Sequence, residues 1–287
     1  MATPNDPHPR SRWSDLDRPP LDQALLRRRL LHPTALWTSV DVVATTGSTN
    51  TDLVDRVRAG TVGEGAVLVA EEQSAGRGRL DRRWTAPARS GLFFSVVLRP
   101  EPVPAERWGW LPLLAGVATA TALARAAGVD TALKWPNDLL VTVDGEPRKV
   151  GGILAERVDG HSVVLGIGIN VSLRAEELPM STAASLALAG APVTDRDPLL
   201  RAVLRRLAEW YVQWREQDGD PTRSRLHEAY VAGCATLGQV VRAELPGGDS
   251  LVGEAVAVDG DGRLVLSTDE GQRVVGAGDI VHLRPSR

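Results

Sequence analysis

The order of strand-like and helix-like segments is the feature of this 287-residue sequence that most constrains its fold. Apolar residues recurring every three to four positions predict helices, whereas alternating or short continuous apolar runs predict strands. The predicted helices cover 22–31, 49–60, about 112–127 and 199–214, with another after Pro221. The predicted strands cover about 40–45, 65–73, 90–100, 132–143, 148–158 and 162–173. Because strands and helices do not alternate regularly, we expect an α+β fold rather than a doubly wound α/β fold.

The texture of the sequence changes after Gly238. Short β-rich runs follow, separated by the turn sequences PGGD, GDG and DEGQ. Closely spaced short strands are typical of a small barrel, so we predict one over residues 238–287. Residues 1–18 are polar and rich in Pro, Asp and Arg, which predicts a disordered tail. The main domain is then expected at 19–237.

Composition excludes several classes of protein. Cys234 is the single cysteine, so an intramolecular disulfide framework is impossible and a reducing compartment is favoured. The five histidines are scattered without ligand spacing, which argues against a metal centre built by the protein. The net charge of −3 does not suggest a basic nucleic-acid surface. The longest apolar run, 108–124, is short and contains Pro112, and no secretory signal is seen. We therefore expect a cytoplasmic protein that neither spans nor binds a membrane.

Lysine is rare in this chain. The sequence holds 33 Lys and Arg residues, and only Lys134 and Lys149 are lysines. Chance would explain one such lysine. Because both stand inside distinctive motifs, we expect at least one site that needs a compact ammonium group rather than a planar guanidinium.

The segment SAGRGRLDRRW (74–84) is the first candidate site. Gly76 and Gly78 allow close approach of the backbone, and four arginines lie within seven residues: Arg77, Arg79, Arg82 and Arg83. Such a loop is expected to order around phosphate or carboxylate, although a solvated basic loop or an RNA-binding segment would look the same. It lacks the Gly-Lys-Ser/Thr of a Walker A loop, and Asp81 replaces the third glycine of a dinucleotide fingerprint.

Three further clusters contain candidate functional residues. KWPNDL (134–139) brings together Lys, Trp, Asn and Asp, which a plain Asx turn would not require. RKVGGILAE (148–156) has paired glycines in a strand, and GIGIN (166–170) has glycines on one strand face, where a ring system could lie on bare backbone. For the two glycine motifs alone, ordinary sheet packing explains the pattern equally well.

Taken together, these segments resemble the biotin–protein ligase family. The resemblance rests on GSTN (47–50), EEQSAGRGRLDRRW (71–84), KWPNDL, RKVGGILAE and GIGINV (166–171), in this order. It implies a catalytic domain similar to class II aminoacyl-tRNA synthetases with a C-terminal SH3-like β-barrel. It also implies the reaction: biotin and MgATP form biotinyl-5′-AMP, and biotin is then transferred to a lysine of the biotin carboxyl carrier domain of a carboxylase, such as acetyl-CoA carboxylase.

The resemblance also implies site residues. Lys149, Arg79 and Arg82 would be catalytic, because they face the carboxylate and the triphosphate. Biotin would be bound by Ser48, Thr49, Asn50, Gln73, Gly76, Arg77, Gly78, Arg79, Lys149, Gly151, Gly166 and Gly168. ATP and the adenylate would be bound by Arg79, Arg82, Trp84, Asn137, Asp138, Lys149 and Asn170. Mg²⁺ would arrive with ATP, with Asp138 as the one candidate protein contact.

One departure from the family concerns DNA. Some members carry an N-terminal winged helix-turn-helix of about 60 residues, whereas only 47 residues precede Ser48 here. We therefore expect a ligase that does not bind DNA. A lipoate- or octanoate-transferring relative is the nearest alternative, and an arginine-rich RNA-binding module with a small barrel is the alternative from another class.

Overall fold

The computed structural model describes residues 17–79, 82–245, 248–276 and 279–282. Most of the predicted tail, residues 1–16, lies outside these ranges. The two tail residues that are described, Asp17 and Arg18, lie against the main domain, and Arg18 donates a hydrogen bond to the carbonyl of Ser172 at 3.0 Å. The predicted boundaries of the tail and of the two domains stay predictions.

Five helices belong to the main domain: α1 (Gln23–Leu30), α2 (Thr49–Arg58), α3 (Trp110–Ala126), α4 (Arg196–Glu216) and α5 (Leu226–Gly233). The helix expected at 22–31 is confirmed, and the Asp22 side chain accepts from the amide of Leu25 at 2.9 Å. The structure places two helix starts earlier than expected. A 3₁₀ turn, Ala105–Gly109, leads directly into α3, and Asp195 caps α4.

Seven strands form the central sheet. They are β1 (Ser39–Val43), β2 (Ala66–Ala70), β5 (Gly91–Leu98), β6 (Ala132–Lys134), β7 (Asp138–Val143), β8 (Glu146–Arg157) and β9 (Val163–Asn170). Their order is β1-β2-β5-β9-β8-β7-β6, parallel only between β1 and β2. Two short strands, β3 (Gly76–Arg77) and β4 (Arg83–Trp84), pair with each other outside it. This mixed, mostly antiparallel arrangement confirms the predicted α+β class.

The two faces of the sheet are covered differently. On the core face, α1, α3 and α4 pack over alternate strand residues, such as Leu165, Ile167 and Ile169 of β9. On the opposite face, which we call the site face, α2 covers only one end, where Val57 and Val164 belong to a small separate cluster. The remaining site-face positions of β9 are Gly166, Gly168 and Asn170. Period-two alternation thus leaves part of this face open to other groups.

A buried ion pair lies at the end of the strand that leads into residues 74–84, which we call the arginine loop. Glu71 follows β2, and its carboxylate lies 2.6 Å from the guanidinium of Arg196 at the start of α4. Both side chains are almost fully buried, and the amide of Leu21 also donates to Glu71 at 2.6 Å. The pair ties the end of β2 to the start of α4, and losing one partner would leave a buried, unpaired charge.

The C-terminal part forms a five-stranded antiparallel sheet. Its strands are β10 (Val240–Glu244), β11 (Ser250–Val258), β12 (Leu264–Thr268), β13 (Gly271–Val275) and β14 (Asp279–His282), in the order β13-β12-β11-β10-β14. The small β domain predicted here is confirmed. Its strands do not close into a full hydrogen-bonded barrel, since β13 and β14 do not pair with each other within the described part of this domain.

Two tryptophans of the main domain join it to a turn of the C-terminal sheet. The indole of Trp110, in α3, donates to the carbonyl of Gly260 at 2.8 Å. The indole of Trp135, between β6 and β7, donates to the carbonyl of Gly262 at 3.0 Å. Trp135 belongs to the KWPNDL motif, so this motif lies against the C-terminal domain. Within the described ranges, no helix is both long and apolar enough to cross a membrane.

Candidate active site

Two glycines on neighbouring strands form the floor of the candidate site. Gly152 of β8 lies directly opposite Gly168 of β9, and both face the site side of the sheet. The indole of Trp84 lies over them: a Cβ atom would stand 3.3 Å from this ring at Gly152 and 3.1 Å from it at Gly168. Only residues without side chains allow the aromatic ring to approach the backbone this closely.

A β-bulge brings Lys149 to the same floor. Leu139 of β7 is paired with Gly151 and Leu140 with Lys149, so Val150 is an extra residue in β8. In a regular strand, Lys149 and Gly152 would face opposite sides of the sheet, because they are three residues apart. One inserted residue reverses this relation. The Lys149 ammonium accordingly lies 3.4 Å from the position of a Cβ at Gly152 and 5.7 Å from the centre of the Trp84 ring.

Lys149 has an acidic partner in the second lysine-containing motif. Its ammonium nitrogen lies 2.5 Å from a carboxylate oxygen of Asp138, the first residue of β7, and both side chains are partly exposed. The neighbouring Asn137 uses its side-chain amide to donate to the carbonyl of Ile153 at 2.8 Å. KWPNDL and RKVGGILAE therefore meet at one end of the glycine floor, through an ion pair and a hydrogen bond.

The arginine loop borders the floor as a narrow hairpin. Gly76 pairs with Trp84 and Arg77 with Arg83, and the amide of Gly78 donates to the carbonyl of Arg82 at 2.7 Å. A side chain at Gly76 would overlap with the Trp84 carbonyl. The side chain of Arg79 is half-buried, whereas Arg82 and Arg83 are exposed, and the loop tip at 80–81 lies outside the described residues. The hairpin thus places Trp84 on the floor and carries the four arginines of the loop on the same short segment.

Polar groups line the space between α2 and the sheet. Gln73 accepts from the amide of Thr49 at 2.9 Å and from its hydroxyl at 3.2 Å. The Thr49 hydroxyl also lies 2.7 Å from the hydroxyl of Ser95. Ser48 is buried at the N-cap position of α2, although its side chain makes no capping hydrogen bond. This corner offers hydroxyl and amide groups, which suit a neutral polar ring.

Comparison with known proteins identifies the family. Residues 42–172 match the model of the biotin/lipoate A/B protein ligase family, and residues 236–283 match that of the biotin protein ligase C-terminal domain. The chain is 44% identical to the biotin–[acetyl-CoA-carboxylase] ligase of Mycobacterium tuberculosis over 93% of this chain and 97% of that protein. The chain belongs to the biotin–protein ligase family.

Solved structures of biotin protein ligases have the same fold. The Aquifex aeolicus enzyme in complex with biotin and ATP covers 87% of this chain and all of its own, with 28% identity and a TM-score of 0.69. The Leishmania major enzyme in complex with biotinyl-5-AMP covers 83% of this chain and 98% of its own, with 25% identity and a TM-score of 0.57. The fold expected from the resemblance is therefore confirmed.

Two glycines expected to bind biotin, Gly151 and Gly166, have protein atoms close beside them, and their contact with biotin stays a prediction. Gly151 faces Leu139 on the core side of the sheet, and because Val150 is an extra residue, Gly152 rather than Gly151 shares the site face with Lys149. The space beside Gly166 is already filled, since a Cβ there would overlap with the side-chain oxygen of Asn50. Gly168 alone, of the three glycines predicted for the floor in β8 and β9, contacts the Trp84 ring.

Asn170 is buried at the end of β9, where its side-chain amide donates to the carbonyl of Ala184 at 2.9 Å. This bond holds the segment that also pairs with Lys149, through the amide of Lys149 and the carbonyl of Thr182 at 2.8 Å. Asn170 thus supports the segment that pairs with Lys149, whereas a direct contact of Asn170 with ATP stays a prediction.

Sequence reasoning missed three residues of this site. Gly152 lies within RKVGGILAE, but its place beside Lys149 could not be predicted, because a bulge is visible only once the partner strand is known. Ser95 and Glu156 were also not predicted: Ser95 donates to Asn50 at 2.5 Å, and Glu156 accepts from both Asn50 and Arg77. A polar Ser in the apolar strand LFFSVV was the one local signal available.

Proposed function

We propose that this chain is an ATP-dependent biotin–protein ligase, which makes biotinyl-5′-AMP and transfers biotin to a lysine of a biotin carboxyl carrier domain. One observation carries the proposal: Lys149 of one motif and Trp84 of the arginine-loop motif converge on the glycine floor formed by two further strand segments. A floor without side chains leaves room for a fused ring system, and a single ammonium beside it suits a carboxylate at the end of a flexible chain.

In the first step, a carboxylate oxygen of biotin attacks the α-phosphorus of ATP. The bond between the α-phosphorus and the bridging oxygen breaks, and pyrophosphate leaves with its electrons. Lys149 would hold the carboxylate and then the acyl-phosphate oxygens, while Arg79 and Arg82 would neutralise the phosphates. Stabilising charge as it develops in a partly closed site is a large catalytic contribution. The substrate supplies the nucleophile, so none is needed from the protein.

Asp138 has a defined role in this scheme. Its carboxylate holds the Lys149 ammonium beside the floor before substrates bind. Across the described ranges, His, Cys, Asp and Glu residues do not gather in a group of three that could hold a metal ion. We therefore propose that magnesium enters as MgATP, the substrate, and that Asp138 serves chiefly as the partner of Lys149.

In the second step, the neutral amine of the carrier lysine attacks the carbonyl carbon of biotinyl-5′-AMP. An amide bond forms, AMP leaves, and the amine loses its proton. We propose the carrier domain of acetyl-CoA carboxylase as acceptor, because the relative from Mycobacterium tuberculosis is named for that enzyme. We also propose a cytoplasmic location, consistent with the single free thiol, Cys234.

We further propose that the chain does not bind DNA. Residues 17–47 contain α1 and β1, and both pack against the catalytic domain, α1 on α4 and β1 on β2. A gel shift that is sequence-specific and depends on biotin at physiological salt would contradict this.

Pyrophosphate exchange into ATP that depends on biotin tests the main proposal. Purified full-length chain should exchange labelled pyrophosphate only with biotin present, and should then label a recombinant carrier domain. Lipoate and octanoate in place of biotin are the matched controls. No exchange with biotin would refute the proposal, and exchange with lipoate or octanoate alone would support the related acyltransferase instead.

A further inference from the structure

Glu156, near the end of β8, joins the arginine loop to α2. One carboxylate oxygen accepts from the guanidinium of Arg77 at 2.9 Å, and the other accepts from the side-chain amide of Asn50 at 2.8 Å. The Arg77 and Glu156 side chains are 43% and 24% exposed, respectively. Glu156 therefore links an exposed residue, Arg77, which is the first arginine of the loop, to a buried one, Asn50.

Asn50 has little capacity left to bind a ligand. It is buried, and its amide group donates to the carbonyl of Leu154 at 3.2 Å as well as to Glu156. Its side-chain oxygen accepts from Ser95 at 2.5 Å. A side-chain amide has two N–H donors, so both are used here. The bare position at Gly166 makes room for this arrangement.

The loop base transmits this anchoring to the floor. Arg77 pairs with Arg83, and the preceding Gly76 pairs with Trp84, whose ring lies on Gly152 and Gly168. A partly exposed ion pair adds little to stability, because water screens both charges. The position of this ion pair is more informative, because Glu156 holds Arg77 against the sheet beside the floor.

We propose that Glu156 is a positioning residue, which acts through Arg77 to set the arginine loop for biotin, and that Asn50 supports Glu156 rather than contacting biotin. This rests on the proposed function. The loop base is then pre-arranged, and ordering it costs less when biotin binds. Loss of Glu156 should weaken biotin binding while leaving the reacting groups in place.

The test is Glu156→Gln in the full-length chain, measured by pyrophosphate exchange with biotin titrated at saturating ATP. Losing a charged hydrogen bond should raise KM for biotin about tenfold. The KM for ATP and kcat should change by less than about twofold, since Lys149 and Asp138 are untouched. Trypsin should cut the arginine loop faster in the variant.

Asp41→Asn is the matched control. Asp41 lies on β1, at the opposite edge of the same sheet from β7 and β6, and pairs with Arg27 at 2.7 Å and with Arg56 at 3.5 Å; its side chain is 40% exposed. It should keep the wild-type KM. If Glu156→Gln does not fold, Glu156→Asp keeps the charge with a shorter reach and should raise KM about threefold.

Two results would overturn the inference. A wild-type KM for biotin in a folded Glu156 variant is one, and a fall in kcat and thermal stability without a change in KM is the other. Failure of the wild-type chain to exchange pyrophosphate would instead refute the proposed function, so the two failures are distinguishable.

Discussion

The two faces of strands β8 and β9 differ in what fills the space above them. On the core face, Ile153, Ile167 and Ile169 are buried beneath helices. On the site face, Gly152 and Gly168 contribute no side chain, and a tryptophan from a separate hairpin lies there instead. Burying one aliphatic side chain contributes about 1.5–3 kcal/mol. The core face therefore supplies stability, whereas the site face forgoes it for a surface on which a ligand and a loop can rest.

The largest expected effect is at Lys149, the charged group of the site face. Lys149→Arg should fold normally but lose about 30- to 1,000-fold in adenylation rate, because a planar fork cannot replace an ammonium that redirects its donors. Lys149→Ala should be at least as impaired. Pyrophosphate exchange at saturating biotin and ATP measures this.

Lys134→Arg is the control for Lys149. Lys134 ends β6 and lies opposite Asp138 in the sheet, without a place in the proposed contacts to the carboxylate. It should retain most of the rate. Near-wild-type exchange by Lys149→Arg would show that a generic positive charge suffices at this position, and that the scarcity of lysine was misread.

The next effect separates the two faces within one strand. Ile167→Ala, on the core face of β9, should lower the free energy of unfolding by about 2–4 kcal/mol through a cavity. Its KM for biotin should stay near that of the wild type. Gly168→Val, on the site face, should displace the Trp84 ring and raise this KM roughly 10- to 100-fold, with little loss of stability. Thermal unfolding and biotin titration measure the pair, and equal losses of stability in both variants would contradict the division.

A smaller contrast in stability and in KM is expected between the adjacent glycines Gly151 and Gly152, because they face opposite sides of the sheet. An alanine Cβ at Gly151 would lie 2.8 Å from the carbonyl oxygen of Gly168 and 2.9 Å from Leu139, so the strand backbone must shift. Gly151→Ala should therefore lose about 1–3 kcal/mol of stability. At Gly152 the nearest atoms, at 3.3–3.4 Å, belong to the side chains of Trp84 and Lys149, which can move. Gly152→Ala should raise KM for biotin several-fold and unfold at nearly the wild-type temperature.

The local sequence pattern predicted the fold well where the geometry depends only on residues of the same segment. Asp22 as a helix-opening residue located α1, the 3.6-residue spacing located α4, and the alternation in GIGIN placed Gly166 and Gly168 on one face. The pattern failed where a partner strand decides the geometry. Lys149 shares a face with Gly152 rather than Gly151 because Val150 is an extra residue opposite β7, and Glu156 gains its role only when α2 and the hairpin come beside it. Such contacts join residues far apart in sequence, so neither composition nor spacing contains them.

The smallest effect concerns the arginine loop, which is fixed at one end and exposed at the other. It is tied to the sheet at its base by Glu156 and by the Trp84 ring, whereas Arg82 and Arg83 are exposed. Several guanidinium groups close together repel each other, and an anion relieves this. Biotin alone should therefore slow hydrogen exchange at 76–84 by a few-fold, and biotinyl-5′-AMP should slow it further because it adds a phosphate. Amides of β9 should exchange at the same slow rate in all three states, since this central strand is hydrogen-bonded to β5 and β8 on its two sides. Equal exchange of the loop with and without ligand, under conditions where biotin is bound, would mean that the hairpin is rigid before binding. In that case the arginines of the loop would act by electrostatics alone and not by closing over the floor.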